Sequence, residues 1–201
     1  MNVFDYIENK SKSLAKSIGV GEEQEDIEIY EYAIFAILSQ ILTNGVGLIL
    51  AAIFNIFIPY LICTLCYMTL RIFAGGYHCK TFRQCFYTSN ALYLFLTILS
   101  IIPQNSMFLL ILAFIGGTAI TPYCPKPSEY SLSRGAIKDK KFRNKYIISL
   151  IIFIIIASLL IYLNLNTYAN AICYAILGTG FVVSDIGECI LTSFWRLVEN
   201  E

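Results

Sequence analysis

Three long stretches of the chain carry no charged residue: residues 32–70, 84–125 and 146–184. A helix crosses the hydrocarbon layer of a membrane in about 20 residues, so each stretch of about 40 residues fits two helices joined by a turn. Residues that favour turns interrupt each stretch near its middle, at 55–59, 103–106 and 164–167. The pattern therefore predicts an all-α, polytopic membrane protein with six transmembrane helices.

The predicted helices are residues 32–54, 57–74, 82–102, 107–122, 146–163 and 168–186. Before them, apolar residues recur at roughly helical spacing among polar residues, namely Val3, Phe4, Ile7, Leu14, Ile18 and Val20. This spacing predicts an amphipathic helix that lies in the membrane interface. We interpret residues 1–201 as a single integral-membrane domain. It consists of a cytosolic arm (1–31), the six-helix bundle (32–186) and a cytosolic tail (187–201).

Composition and charge agree with this interpretation. The chain is 57% hydrophobic and 14% charged, which is too apolar for a soluble domain of this size. Lys and Arg fall only in the arm, the links between predicted helices two and three and between four and five, and the tail. The positive-inside rule predicts that these segments and both termini lie in the cytosol. The net charge is zero, so we expect no nucleic-acid partner.

Seven cysteines are spread along the chain, an odd number that argues against a disulfide framework. Cys63 and Cys66 form a Cys-x-x-Cys pair inside an apolar helix, where packing explains them better than redox or metal chemistry. A zinc site lacks the usual paired ligands, because the chain has one histidine and scattered cysteines. We therefore expect no metal and no cofactor.

The one histidine, His78, lies in the short link before the third predicted helix, and Cys85 follows it by seven residues. Thr81 and Gln84 have the spacing of a capping box, which would begin the helix at Thr81 and place Cys85 in its first turn. The helix dipole and nearby cations, Arg83 and Lys80, would favour a thiolate there. His78 can reach Cys85 only if the chain turns, since seven residues of continuous helix rise by roughly 10 Å.

Cys79 is the rival nucleophile, but it lies before the helix start that would favour its thiolate. Neighbouring residues also rarely point their side chains at one another. The segment has no acidic residue to orient the imidazole of His78. Gln84, Asn90 or a backbone carbonyl could do so, and the sequence does not choose among them.

At this point the segment resembles the accessory gene regulator protein B (AgrB) family, membrane cysteine endopeptidases of bacterial peptide quorum sensing. The resemblance rests on a motif set between the second and third spans of a chain of about 200 residues, namely Arg71, Gly75, Gly76, Tyr77, His78 and Cys85. A looser likeness covers residues 121–127, to which we assign no chemistry. By this resemblance the chain would be a thiol protease that processes an autoinducing peptide.

The resemblance implies a mechanism as well. Cys85 would attack a carbonyl of a short precursor peptide of the AgrD type, with His78 as base and then acid. The C-terminal tail of the precursor would leave, and a thiol within the peptide would then close a thiolactone ring. Arg71 would hold an acidic tail or carboxylate, or would serve only as a snorkelling anchor. Gly75 and Gly76 would permit positive φ or close backbone approach, or would only end a helix.

Two other classes of function compete with the peptidase. A transporter usually has ionisable residues in mid-membrane, which the predicted spans lack. A noncatalytic membrane scaffold would tolerate replacement of Cys85. Glycines in the spans would allow close helix packing or self-association, which makes a homodimer plausible beside the expected partners, the lipid bilayer and the precursor peptide.

Overall fold

The computed structural model describes residues 3–18, 24–77, 79, 81–126 and 140–199. In these ranges the chain is helical, and the only strand-like feature is one isolated β-bridge between Gly75 and Lys126. The helices are α1 (Val3–Ile18), α2 (Gln24–Ile53), α3 (Phe57–Ala74), α4 (Phe82–Ile101), α5 (Ser106–Ala119), a 3-10 turn (Thr121–Tyr123), α6 (Lys140–Tyr162), α7 (Asn166–Val183) and α8 (Asp185–Glu199). The all-α prediction is confirmed for the described residues.

The predicted helix bounds agree closely for α3, α4, α5 and α7. Two helices begin earlier than predicted, α2 by eight residues and α6 by six, because charged residues at their starts continue the helix. The N-terminal helix is present, and its residues Ile7, Ser11 and Ala15 are buried on the side that packs against α2. The tail was not predicted to be helical, yet it forms α8.

The turns without charge meet at one end of the bundle. The α2–α3 and α6–α7 turns line an open cleft of about 620 Å³ together with Ile101. The α4–α5 turn lies at the same end. Its residue Gln104 accepts a 2.7 Å hydrogen bond, through its side-chain oxygen, from the hydroxyl of Tyr174 on α7. The α3–α4 link lies at the opposite end, beside the end of α5 and the start of α8. The helices therefore run alternately up and down, as the sequence predicted.

The helix at the centre of the bundle is α7, which packs against α3, α4, α5 and α6. Small residues on several of its faces, among them Ala171, Ala175 and Gly178, let these neighbours come close. A Cβ at Gly178 would lie 2.5 Å from a methyl of Leu96 on α4. Gly178, one of the glycines in the predicted spans, thus allows close packing between two helices of the same chain.

Three helical segments are long and apolar enough to cross a membrane: Phe57–Ala74, Ser106–Tyr123 and Lys140–Tyr162. A fourth is obtained if α7 and α8, which are bent by 75° at Ser184, count as one broken span. The apolar part of α2, Ile37–Ile53, is shorter. Helix α4 is long enough, but polar residues lower its hydropathy. The described part of the chain thus has three or four candidate spans, fewer than the six predicted.

Candidate active site

Cys85 lies in the first turn of α4, at the polar end of the bundle. Thr81 is the N-cap: its hydroxyl accepts from the Gln84 amide at 3.3 Å, and the Gln84 side-chain oxygen accepts from the Thr81 amide at 3.2 Å. The predicted capping box is therefore confirmed. The Cys85 amide donates to the Thr81 carbonyl at 3.1 Å, the first main-chain bond of the helix. The cap fixes where the helix starts and hence where the thiol of Cys85 lies.

Arg71, in the last turn of α3, is bonded to the link that follows the helix. Its Nη1 donates to the carbonyl oxygen of Gly75 at 2.6 Å, and its Nη2 donates to that of Tyr77. The guanidinium thus holds the link in place from the side of α3. The sequence analysis did not foresee this contact; its two interpretations of Arg71, a snorkelling anchor and a binding group for a carboxylate, stay predictions.

Gly75 and Gly76 both have positive φ, at 71° and 108°, conformations that residues with a Cβ rarely adopt. Both glycines also lie against other groups. A Cβ on Gly75 would be 2.3 Å from the carbonyl oxygen of Lys126, and one on Gly76 would be 2.5 Å from Nη1 of Arg71. Positive φ and close approach therefore apply together, and Gly75 also caps the end of α3, so the interpretations that the sequence left open hold at once.

The segment after α5 forms one wall of the site. The Lys126 amide donates to the Ala74 carbonyl at 2.8 Å, and the Gly76 amide donates to the Lys126 carbonyl at 3.0 Å. The Tyr77 amide donates to the carbonyl of Val182, in the last turn of α7, at 3.3 Å. The proline-bearing stretch, which had no role in the sequence analysis, is thus the main-chain partner of the glycine pair.

Two thiols meet at the start of α4. Cys79, in the link, is the neighbour that acts most strongly on the pKa of Cys85, and Cys85 acts most strongly on that of Cys79. Its Sγ also donates to the Thr88 hydroxyl at 3.7 Å, while Cys85 Sγ lies 3.9 Å from the Ser89 hydroxyl. The pair lies at the polar end of a helix that is not among the candidate spans.

The pair favours one ionised and one neutral thiol. The Cys79 thiol lowers the pKa of Cys85 below its ordinary value; burial opposes this, and Ser89 and the Arg71 guanidinium reinforce it. The hydrogen bond to Cys85, together with burial, raises the pKa of Cys79. A thiolate is the reactive form of cysteine, so these directions agree with the sequence-based choice of Cys85 over Cys79, which stays a prediction. Among the described residues, the cation that acts on Cys85 is Arg71; Arg83 is exposed.

His78 and Lys80 lie outside the described residues. Of the groups considered for orienting the imidazole, the side-chain oxygen of Gln84 takes part in the capping box. Asn90 is buried further along α4, where its amide nitrogen donates to the Phe86 carbonyl at 2.9 Å. Proximity of His78 to Cys85 stays a prediction from the sequence.

Helix α8 closes one side of the site, which the sequence analysis missed. The indole Nε1 of Trp195 donates to the Thr88 hydroxyl at 2.9 Å. Lys126 Nζ lies 2.6 Å from a carboxylate oxygen of Asp185 and 2.8 Å from one of Glu188. The amphipathic pattern after residue 185 was the available signal, together with acidic residues where a helix would start.

The remaining cysteines lie away from this pair. Cys63, Cys66, Cys124 and Cys173 are buried among apolar side chains, as the packing interpretation of the Cys-x-x-Cys pair expects, and Cys189 is exposed. Within the ranges that the structure covers, His, Cys, Asp and Glu form no group of three that could hold a metal ion.

The fold and the site define a class of protein. It is a helical, membrane-type protein with two neighbouring cysteine thiols at its polar end, next to a link whose path depends on two glycines. The model of the Accessory gene regulator B (AgrB) family matches residues 7–186, so the chain belongs to that family. No curated protein and no solved structure shows significant similarity to the chain. The AgrB family is generally described as a processing protease, and membership supports a role in processing the agr quorum-sensing peptide.

Proposed function

We propose that the chain is a cysteine endopeptidase that removes the C-terminal tail of a short precursor peptide of the AgrD type and promotes its cyclisation to a thiolactone. The observation that carries this proposal is Cys85 in the first turn of α4, with Cys79 and Arg71 both favouring its thiolate. The nucleophile lies on a helix start fixed by a capping box, beside a link fixed by Arg71 and two glycines. Such rigidity is what a preorganised nucleophile requires.

The reaction would run in two transfers. The Cys85 sulfur forms a bond to a backbone carbonyl carbon of the precursor, and the C–N bond to the tail breaks as the departing amine takes a proton. A thiol within the bound peptide then attacks the thioester carbon, which forms the ring and returns the sulfur of Cys85. Because one thioester replaces another, the second step is nearly neutral in free energy. Release of the tail therefore helps to drive the sequence.

His78 is proposed as the base that accepts a proton during attack and as the acid that protonates the leaving amine. This role rests on the family motif. Arg71 is proposed to act in two ways: it stabilises the thiolate of Cys85 through its charge, and it holds the link through the carbonyls of Gly75 and Tyr77. An acidic tail of the precursor would be attracted to the same charge.

We further propose that residues 1–201 form one integral-membrane domain with six spans, in which α2 and α4 cross the bilayer beside the more apolar helices. Helix α4 would enter the hydrocarbon layer after its first two turns, so that Cys85 stays at the interface. The basic residues support a cytosolic position for this end of the bundle in the bacterial cell, by the positive-inside rule. An amphipathic leader on the precursor would lie on the same leaflet as α1 and deliver the scissile bond to Cys85. Association of two copies as a homodimer is part of the proposal.

The test is cleavage of a synthetic precursor by the purified, full-length protein in lipid vesicles. We expect release of the tail by the wild type and by Cys189→Ser, a matched change of the exposed cysteine, and no release by Cys85→Ser. A transporter or scaffold would leave the precursor uncut in all three. Cleavage that persists in Cys85→Ser would contradict the assignment of the nucleophile.

A further inference from the structure

The C-terminal helix α8 is joined to the thiol pair through a single hydroxyl group. Thr88 lies one turn after Cys85 on α4, and its Oγ1 contacts both Trp195 Nε1 at 2.9 Å and Cys79 Sγ at 3.7 Å. Cys79 in turn is the group that contributes most to the lowered pKa of Cys85. We infer that Trp195 and Thr88 are positioning residues, which hold Cys79 so that its thiol donates to the nucleophile Cys85. This inference rests on the proposed function.

The donor and acceptor chemistry of the three groups gives the chain of bonds a direction. An indole can only donate, so the oxygen of Thr88 accepts from Trp195, and the hydroxyl hydrogen remains free to rotate. While both cysteines are neutral, the Cys79 thiol donates to Thr88. Once Cys85 is ionised, Cys79 can turn its S–H to the thiolate, and the Thr88 hydroxyl can donate to the Cys79 sulfur. Every donor in the series then points towards Cys85.

The position of α8 is set independently of this series. Lys126, whose main chain is bonded to Ala74 and Gly76, holds the first turn of α8 through Asp185 and Glu188. The bend of 75° at Ser184 turns the helix away from the axis of α7 and across the polar end. Trp195 thus reaches Thr88 from an element that begins at Asp185, and the family match ends at residue 186.

Other ionisable groups also face Cys85 and are unchanged by the variants proposed below. They are Arg71 and Tyr67 on α3, Tyr93 on α4 and Cys79 in the link. Since none of them is altered, a change in the pH profile of Cys85 alkylation reports the loss of the Thr88 hydroxyl or the Trp195 indole. It does not report a change in the charges around Cys85.

The test is the rate at which iodoacetamide alkylates Cys85 as a function of pH, followed by peptide mapping, in full-length protein without precursor. The Cys189→Ser background removes the exposed competing thiol. Thr88→Val keeps the shape of the side chain and removes the hydroxyl. We expect the midpoint of the profile to rise by about half to one pH unit, with alkylation roughly three- to tenfold slower below the midpoint. Trp195→Phe should shift it the same way by less.

Two controls separate positioning from general damage. Thr88→Ser restores a hydroxyl and should lie near the wild-type profile. Thr118→Val makes the same change on α5, where the hydroxyl bonds only to its own helix, and should have no effect on the profile. Profiles of Thr88→Val and Trp195→Phe that match the wild type would overturn the inference, and so would an equal shift in Thr118→Val. A wild type that leaves the precursor uncut would overturn the proposed function alone, because alkylation needs no substrate.

Discussion

Replacement of Gly75 by alanine tests whether precursor cleavage requires the α3–α4 link to keep its conformation. Gly75 has φ 71° and ψ −142°, a region populated almost only by glycine, and a Cβ there costs about 1–3 kcal/mol in backbone strain. The new Cβ would also lie 2.3 Å from the Lys126 carbonyl oxygen, a backbone atom that cannot rotate away. The link and the Lys126 segment must then separate. This breaks the bonds of the Ala74 and Gly76 main chain to Lys126, at about 1 kcal/mol each.

The total cost is roughly 3–5 kcal/mol, and a loss of 3 kcal/mol in the active arrangement corresponds to about a 100-fold lower rate. We therefore expect Gly75→Ala to lower precursor cleavage at least about 100-fold. Cleavage in vesicles and thermal unfolding in detergent measure the effect. Gly45→Ala is the matched control, because no atom lies within 4 Å of its Cβ and alanine favours a helix interior by about 1 kcal/mol. Equal activity and equal stability of Gly75→Ala and the wild type would refute the reasoning.

Four further predictions follow from the same geometry. Wild-type Cys85 should be alkylated below the pH at which an ordinary thiol ionises, near 8.5, because its pKa is lowered, and the rate should rise and level off with pH; a profile centred on the ordinary value would contradict this. Arg71→Lys keeps the charge but cannot bond the carbonyls of Gly75 and Tyr77 equally well, so cleavage should fall by about tenfold while the pH midpoint of Cys85 alkylation moves little. An unchanged cleavage rate would contradict the role of Arg71 in holding the link. Lys126→Met removes the ion pairs with Asp185 and Glu188, each worth at most about 1 kcal/mol, and should lower cleavage by less than about tenfold, whereas Lys126→Pro removes the amide bonded to Ala74 and should abolish cleavage; similar rates in both would show that the main chain is not what matters. His78→Ala should abolish cleavage without changing membrane insertion, and full activity would remove His78 from the mechanism.

Much of the fold could be predicted because the governing signals are local. Charge-free stretches interrupted by turn residues gave helix ends that agree within a few residues for most of the bundle. The capping box at Thr81 and Gln84 is an equally local signal, so the position of Cys85 at a helix start followed from the sequence. The positive φ of Gly75 and Gly76 followed from the residue type.

What the sequence could not predict depends on contacts between distant segments. Lys126 meets Gly75 only because α5 ends beside the α3–α4 link. Trp195 meets Thr88 only because the chain bends at Ser184 and directs α8 across the polar end. The direction of the Arg71 side chain depends on carbonyls that the glycine turn exposes. By contrast, the lower hydropathy of α4 could be seen in the sequence, but the six-span prediction rested on charge-free length and did not weigh it.

The central claim is that the Cys85 sulfur carries the peptide during the reaction. The most direct measurement is mass spectrometry of the full-length protein after incubation with a precursor whose internal cysteine is replaced by serine, so that the ring cannot close through a thiol and the thioester accumulates. We predict a mass increase equal to the precursor without its tail, mapped to Cys85. An adduct mapped to Cys79, or release of the tail without any adduct, would contradict the account.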